Sequence, residues 1–362
     1  MRVLIAPDKF AGTLTAVQAA DAIATGWARR APADELDLAP MSDGGPGFVD
    51  VLHATLGGEL LATAVPGPFE DEFVPATILK VGETAYVESA QACGLHLTGT
   101  ERAEEATSYG VGVLVAWAVD LGVERVVVGL GGTGTTDGGA GFLAGLGARA
   151  DRPMDEGPTG LHGVTTVDLT AARDLLARVE LVAASDVDNP LTGMFGAAKT
   201  FGPQKGLAES RIAEVDAVLE SFAAATDRRV AFEKGAGAAG GLGYALLVLG
   251  ATRVPGIDLV AEAVGLLERA GRVDLVITGE GAFDFSSRSG KVPYGVAQIA
   301  AEALRPCVAL AGRVDVAARE MRALGIESAY SLVDLVGEER ALGDPAESLA
   351  ALAERVARTW SR

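Results

Sequence analysis

The chain has 362 residues, 49% of them hydrophobic and only 5% aromatic, with 47 glycines and a formal charge of −19. That length supports two or three domains and a large core, and the acidity excludes a general nucleic-acid or anionic-membrane surface while leaving a locally held phosphate ligand open. No apolar run reaches the length of a membrane span, and Cys93 and Cys307 lack metal spacing and read as buried thiols of a reducing compartment, so a cytoplasmic protein is expected.

Residues 2–6 form a short apolar strand, followed by the loop Pro7-Asp8-Lys9-Phe10-Ala11-Gly12. Thr15 with Gln18 makes a capping box, and Val17, Ala20, Ala24 and Trp27 share a helical face behind it. A strand at 36–40 leads through Ser42-Asp43-Gly44-Gly45 to a helix at 46–56. From residue 58 the character changes. Short strands at 59–65, 73–80 and 84–88, separated by turn residues and with no helix between them, predict an antiparallel meander. A helix at 105–121, a strand at 126–130, a helix at 139–147, an irregular stretch or hairpin at 151–166, a strand at 180–184 and a helix at 208–225 follow.

After residue 254 the first rhythm returns, with helices at 257–270, 292–304, 315–324 and 346–360 and strands at 273–278, 307–311 and 328–333. This pattern predicts an α/β protein. A parallel, Rossmann-like α/β/α domain is built from residues 1–58 and 254–362, and a second, mixed α/β domain, residues 59–253, is inserted in it.

Ligands of open α/β sheets bind outside the carboxyl ends of the strands. Those ends carry Asp8 and Lys9, then Ser42, Asp43, Gly44 and Gly45, then Glu280 between Gly279 and Gly281 with Asp284 beyond, then Gly312 and Arg313. The middle region adds Leu130-Gly131-Gly132-Thr133-Gly134-Thr135-Thr136-Asp137-Gly138-Gly139 after the apolar run Val126-Val127-Val128. Glycines there let backbone N–H groups crowd a ligand, and the threonine hydroxyls and carboxylate suit phosphate oxygens and a divalent cation. The pattern is not a Walker A loop, and the plainer reading is a glycine-rich turn.

Ser185-Asp186-Val187-Asp188-Asn189-Pro190 follows another apolar strand. Two carboxylates one residue apart can share Mg²⁺ with substrate phosphates, or one can act as a base; the alternative is an Asx-turn before proline. Gly235 to Gly243, with Gly240 and Gly241, opens a helix whose N-terminus would attract an anion. A dinucleotide fingerprint is disfavoured there, since no clear strand precedes it. Lys205 and Lys291 sit in glycine-rich loops, as candidate phosphate contacts or as solvated surface lysines. Backbone cradles, carboxylates and cations together are the parts of phosphoryl transfer.

Taken in order, Ile5-Ala6-Pro7-Asp8-Lys9-Phe10, Ser42 to Gly45, Leu130 to Gly139, Ser185 to Leu191, Phe201 to Gly206, Gly235 to Gly243, Thr278 to Gly281 with Asp284, and Gly290-Lys291-Val292 closely resemble the bacterial type of glycerate kinase. The resemblance covers nearly the whole chain. It implies ATP-dependent phosphorylation of D-glycerate with Mg²⁺, two α/β domains, a site in the cleft between them, and 2-phosphoglycerate as the favoured product. On that reading Asp186 and Asp188 are metal ligands or base, and Asp43, Asp137, Glu280 and Asp284 are further acidic candidates. Lys9, Lys205 and Lys291 neutralise phosphate or bind the substrate carboxylate. Gly44, Gly45, Gly131, Gly132, Thr133, Thr135, Gly138, Asn189, Gly240 and Gly241 join Asp8 in binding.

Three departures stand out. Ala11 replaces a lysine, Pro46 replaces a glutamate, and the stretch from Ala282 to Arg288 is less polar than in the family. They leave open a kinase for a related small hydroxy acid, or a non-catalytic nucleotide- or metabolite-binding paralogue.

Overall fold

The computed structural model describes residues 1–10, 12–70, 72–284 and 291–361. Its strands are β1 (Arg2–Ile5), β2 (Glu35–Leu38), β3 (Glu59–Pro66), β4 (Phe73–Val81), β5 (Thr84–Glu88), β6 (Arg125–Gly129), β7 (Arg149–Ala150), β8 (Val167–Asp168), β9 (Glu180–Ala184), β10 (Thr252–Val254), β11 (Leu275–Phe283), β12 (Cys307–Val314) and β13 (Ser328–Ser331). The chain divides into two compact units: Met1–Asp43, Asp50–Gly57 and Gly256–Arg362 in one, and Gly44–Val49 with Gly58–Pro255 in the other. Among the described residues no helix is long and apolar enough to cross a membrane.

The first unit holds a five-stranded sheet in the order β13-β12-β11-β1-β2, with every pair parallel. Counted along the chain within that sheet, this is the flavodoxin-like order, which reverses direction between β1 and β11. Val3, Leu4 and Ile5 are fully buried, as expected for a parallel strand covered on both faces. The helix Ala16–Arg30 starts on the expected capping box: Thr15 Oγ1 accepts from Gln18 N at 3.2 Å, and Gln18 Oε1 accepts from Thr15 N at 3.0 Å. Its buried face, including Ile23 and Trp27, packs in one core with Leu349, Leu352 and Val356 of the helix Pro345–Trp360.

Gly26 makes that packing possible, because a β-carbon there would overlap the backbone carbonyl of Ala350. Helix propensity alone says that Gly26→Ala should stabilise by about 1 kcal/mol. Overlap with rigid backbone costs about 1–3 kcal/mol or more. We therefore expect Gly26→Ala to lower the urea midpoint; an unchanged or raised midpoint would contradict the packing.

The second unit holds a six-stranded mixed sheet in the order β10-β9-β6-β5-β4-β3. The β3–β4 and β4–β5 pairs are the antiparallel meander expected from sequence, and β5, β6, β9 and β10 continue the sheet in parallel. Val126, Val127 and Val128 of β6 are fully buried, whereas the edge strand β3 exposes half of its residues. The stretch read as irregular or a hairpin contains the short helix Gly157–Gly160 and is framed by the β7–β8 hairpin.

Two expected elements differ. The single helix at 257–270 is two helices, Gly256–Ala263 and Leu266–Gly271, because Gly265 takes a left-handed conformation (φ +65°) that ends the first. Strand β11 runs on to Phe283, so Gly279, Glu280 and Gly281 lie in a strand rather than a loop.

Candidate functional site

In the first unit the charged residues gather where the strand order reverses, at the carboxyl ends of β1 and β11. Asp8 N–H donates to Gly279 O at 2.8 Å, and Thr278 Oγ1 donates to Ala6 O at 3.0 Å, which ties the segment after β1 to β11. Lys9 N–H donates to Asp8 Oδ1 at 2.7 Å. Lys9 Nζ lies 3.4 Å from Asp43 Oδ1 and 3.7 Å from Asp8 Oδ1, so one cation serves two carboxylates. Glu280, 5% exposed, lies 3.9 Å from Lys291 Nζ, and Lys291 stands at the start of the helix Val292–Glu302. Asp284 is half-buried just past the end of β11.

Asp8 is itself only 7% exposed. Burial, reinforced by the charge of Asp43, pushes its carboxyl up to about 6, against the pull of Lys9, its N–H group and Lys291. The result is a carboxylate that is ionised near neutrality yet holds a proton far better than a solvated aspartate. Two sequence expectations fall elsewhere: Ala11 and residues 285–290 lie outside the described residues, and Arg313 pairs with Glu338 at 2.8 Å.

In the second unit β6 opens into the loop from Leu130 to Gly139. Gly131, Gly132 and Thr133 line a pocket of about 260 Å³ together with Lys205, Gln204 and Ala239. Lys205, only 4% exposed, donates from Nζ to Thr135 O at 2.7 Å and to Thr133 Oγ1 at 3.4 Å. Burial lowers its ammonium to about 8. Ala239 adopts a left-handed backbone (φ 52°), costly for a residue with a β-carbon, and such strain clusters at binding sites. The expected anion-contacting positions Gly131, Gly132, Thr133 and Lys205 are thus brought together, with Thr135 contributing its carbonyl.

Other expected residues are placed differently. Asp137 is fully buried and accepts from Ser108 N (2.8 Å), Ser108 Oγ (2.7 Å), Gly139 N (3.0 Å) and Gly141 N (3.3 Å). It staples the loop to the helices Tyr109–Asp120 and Ala140–Gly145. Gly138, Gly240 and Gly241 are glycines for packing: Gly138 N–H donates to Gly240 O at 3.0 Å, and β-carbons at 240 and 241 would strike Thr135 and Gly138. The helix they open, Leu242–Val248, therefore starts against protein backbone.

Gly44 and Gly45 likewise dock on the second sheet. Gly131 N–H donates to Gly44 O at 3.0 Å, and a β-carbon at Gly131 would lie 2.5 Å from Gly45 Cα. Where Pro46 removes the family's glutamate, Glu88 accepts from Gly47 N at 3.1 Å and Val49 N at 3.4 Å, supplying a carboxylate to that turn from the end of β5.

Asp188 is exposed and pairs with Arg253 at 2.6 Å and Lys234 at 3.1 Å, and these cations hold its carboxyl below the usual range. A carboxylate so held is a poor proton acceptor. Asn189 donates its amide to Phe195 O and Thr200 Oγ1, fixing the following loop, and Asp186 is half-buried beside them in sequence. Among the described residues no group of three or more His, Cys, Asp or Glu is placed to hold a metal ion. Arg253, Lys234 and Ser108, the partners that decide these roles, carry no local sequence signal that marks them.

The model of the glycerate kinase family matches residues 3–361. A protein named glycerate kinase from Haemophilus influenzae is 37% identical over 99% of this chain and 98% of its own length. A protein named glycerate 2-kinase from Escherichia coli K12 is 35% identical over 93% of this chain and 92% of its own. A solved structure from Salmonella typhimurium LT2, provisionally named glycerate kinase 2, superposes with a TM-score of 0.83 at 34% identity, covering 99% of this chain and 98% of that one.

Proposed function

This chain belongs to the glycerate kinase family, and we propose that it uses ATP to phosphorylate D-glycerate on its 2-hydroxyl, with Asp8 as general base. The observation that carries the base assignment is the buried Asp8 carboxyl, set near 6, with the Lys9 ammonium between it and Asp43. A base with that affinity is ionised at neutral pH and still able to take the hydroxyl proton as the oxygen attacks. Lys9 and Lys291 then offset negative charge as it develops. The pocket around Lys205 offers a cationic contact of its own, suited to a carboxylate or a phosphate.

Mg²⁺ commonly takes one or two carboxylates and completes its shell with phosphates and water. Asp43, half-buried beside Lys9, fits that small demand better than Asp188, which is held by two cations. When bound, Mg-ATP would supply the phosphoryl group with part of its charge neutralised. The choice of the 2-hydroxyl draws support from the name of the Escherichia coli relative, glycerate 2-kinase.

Glycerate-dependent ADP release from Mg-ATP, followed in a coupled assay, tests the reaction. Phosphorus NMR of the product tests the position: a doublet, from one neighbouring proton, is expected, whereas a triplet would assign the 3-hydroxyl. No acceptor-dependent ADP from folded protein would overturn the reading.

A further inference from the structure

The two large sheets end in four edge strands, and three of them are guarded. β2, β13 and β10 are only three or four residues long. β2 also carries the ion pairs Arg2–Glu35 and Arg269–Asp37, and β10 carries Arg253–Asp188. β3 differs. It has eight residues, pairs with β4 from Glu59–Lys80 to Pro66–Phe73 without a bulge, and carries no charge after Glu59. Short length, lysines, inward charges and bulges are the usual protection of a sheet edge, and β3 lacks them all. We infer that this edge is an interface, occupied by β3 of a second copy of the chain, paired antiparallel about a twofold axis. The inference is independent of the proposed reaction.

The main chain decides which groups face outward. Gly67 N–H donates to Glu72 O at 2.8 Å, just beyond the last strand pair. Thr77, opposite Ala62, turns its N–H away from β3 to Gln91 Oε1 at 2.6 Å. Pro75, opposite Ala64, has no N–H to give. Bonded and non-bonded pairs alternate along an antiparallel ladder, so Leu60, Ala62 and Ala64 direct their N–H and C=O groups away from β4. All three are exposed, and among the described residues no other segment pairs with them. An axis through Ala62 sets that residue opposite its own copy, and Leu60 opposite Ala64 of the second copy. Each of these outward N–H groups then meets a carbonyl. Moving the axis to Thr63 would bring Pro66 opposite Leu60 and lose a donor.

Charge favours the same place. Each copy carries −19, so two copies repel over most of their surface. Residues 60–69 hold no charged side chain, and the exposed face beside the edge is apolar, with Phe73 and Pro75 next to Ala64 and Leu60. Because each edge covers the other, the pairing closes at two copies.

Sedimentation of the full chain between micromolar and near-millimolar concentration tests this. The mass should rise from 36.8 kDa towards twice that value and no further. Amide exchange followed by mass spectrometry should slow at least tenfold over residues 60–64 in the concentrated sample. Ala62→Pro removes an outward donor and leaves the β4 ladder intact, so the folded variant should stay at 36.8 kDa throughout. Ala62→Lys, which sets two ammonium groups beside the axis, serves should Ala62→Pro not fold. A parent that stays monomeric, a mass that climbs past two copies, a dimer whose 60–64 amides exchange as in the monomer, or a dimer that survives in the folded variant would each overturn the interface.

Discussion

Asp8→Asn is expected to lower kcat for glycerate phosphorylation by about 10²–10⁴-fold, the usual contribution of a positioned general base. The substitution keeps size and shape, so Lys9 and Gly279 retain their backbone contacts with residue 8, and only the ability to take a proton is lost. The pH profile separates this from a merely structural effect. Because burial and Asp43 set the Asp8 carboxyl near 6, kcat/KM of the parent should fall about tenfold per pH unit below that point, since only the ionised form accepts a proton. The residual activity of Asp8→Asn should lack that acidic limb. If the variant keeps the limb, or keeps most of its activity, another group is the base.

The same burial has a stability consequence of opposite sense. The folded-state affinity of Asp8 for a proton lies above that of the unfolded chain, so the folded protein binds more protons between about pH 4 and 6. Its contribution to stability is fully present below the unfolded value and is lost as pH rises through about 6. The ionised carboxylate that the proposed base role requires is therefore the less comfortable form for the fold. Such opposition between local stability and the required charge state is characteristic of catalytic groups, and it distinguishes Asp8 from Asp188, whose cationic partners favour its ionised form.

Much of this arrangement was legible in the sequence, because strand–loop–helix punctuation is local. The capping box at Thr15, the valine run of β6 and the charged residues after β1 and in β11 follow from periodicity and turn chemistry. What the glycines were for was not legible. Gly131, Gly240 and Gly241 read equally well as a phosphate cradle or as a packing device, and the answer depends on Gly45, Thr135 and Gly138, which only the folded chain brings against them. Gly279–Gly281 read as a loop because glycine is a poor strand residue. Here it marks close backbone approach instead, since a β-carbon at Gly279 would overlap Leu310 O on β12. The partners of Asp137 and Asp188 were hidden for the same reason. A carboxylate after a strand looks alike whether it meets a ligand, four internal donors or an arginine distant in sequence.

Lys205 provides the sharpest test of the second unit. Its ammonium is buried and held near 8, below the value of a solvated lysine, chiefly by lost hydration. A lysine whose folded affinity for its proton is depressed contributes stability above its unfolded value near 10.5, and that contribution is lost as pH falls through about 8. At neutral pH the charged side chain therefore weakens the fold. Its hydrogen bonds to Thr135 O and Thr133 Oγ1 offset only part of that. Methionine fills a similar volume without the charge. Lys205→Met is accordingly expected to show a Tm at pH 7 no lower than the parent's, together with a loss of kcat/KM of about 100-fold or more, the scale seen when one preorganised charge contact is removed. A structural lysine would give the reverse pattern, with a lowered Tm and activity lost only in proportion to unfolding. Retention of both stability and activity would exclude the pocket around Gly131, Thr133 and Lys205 from the reaction.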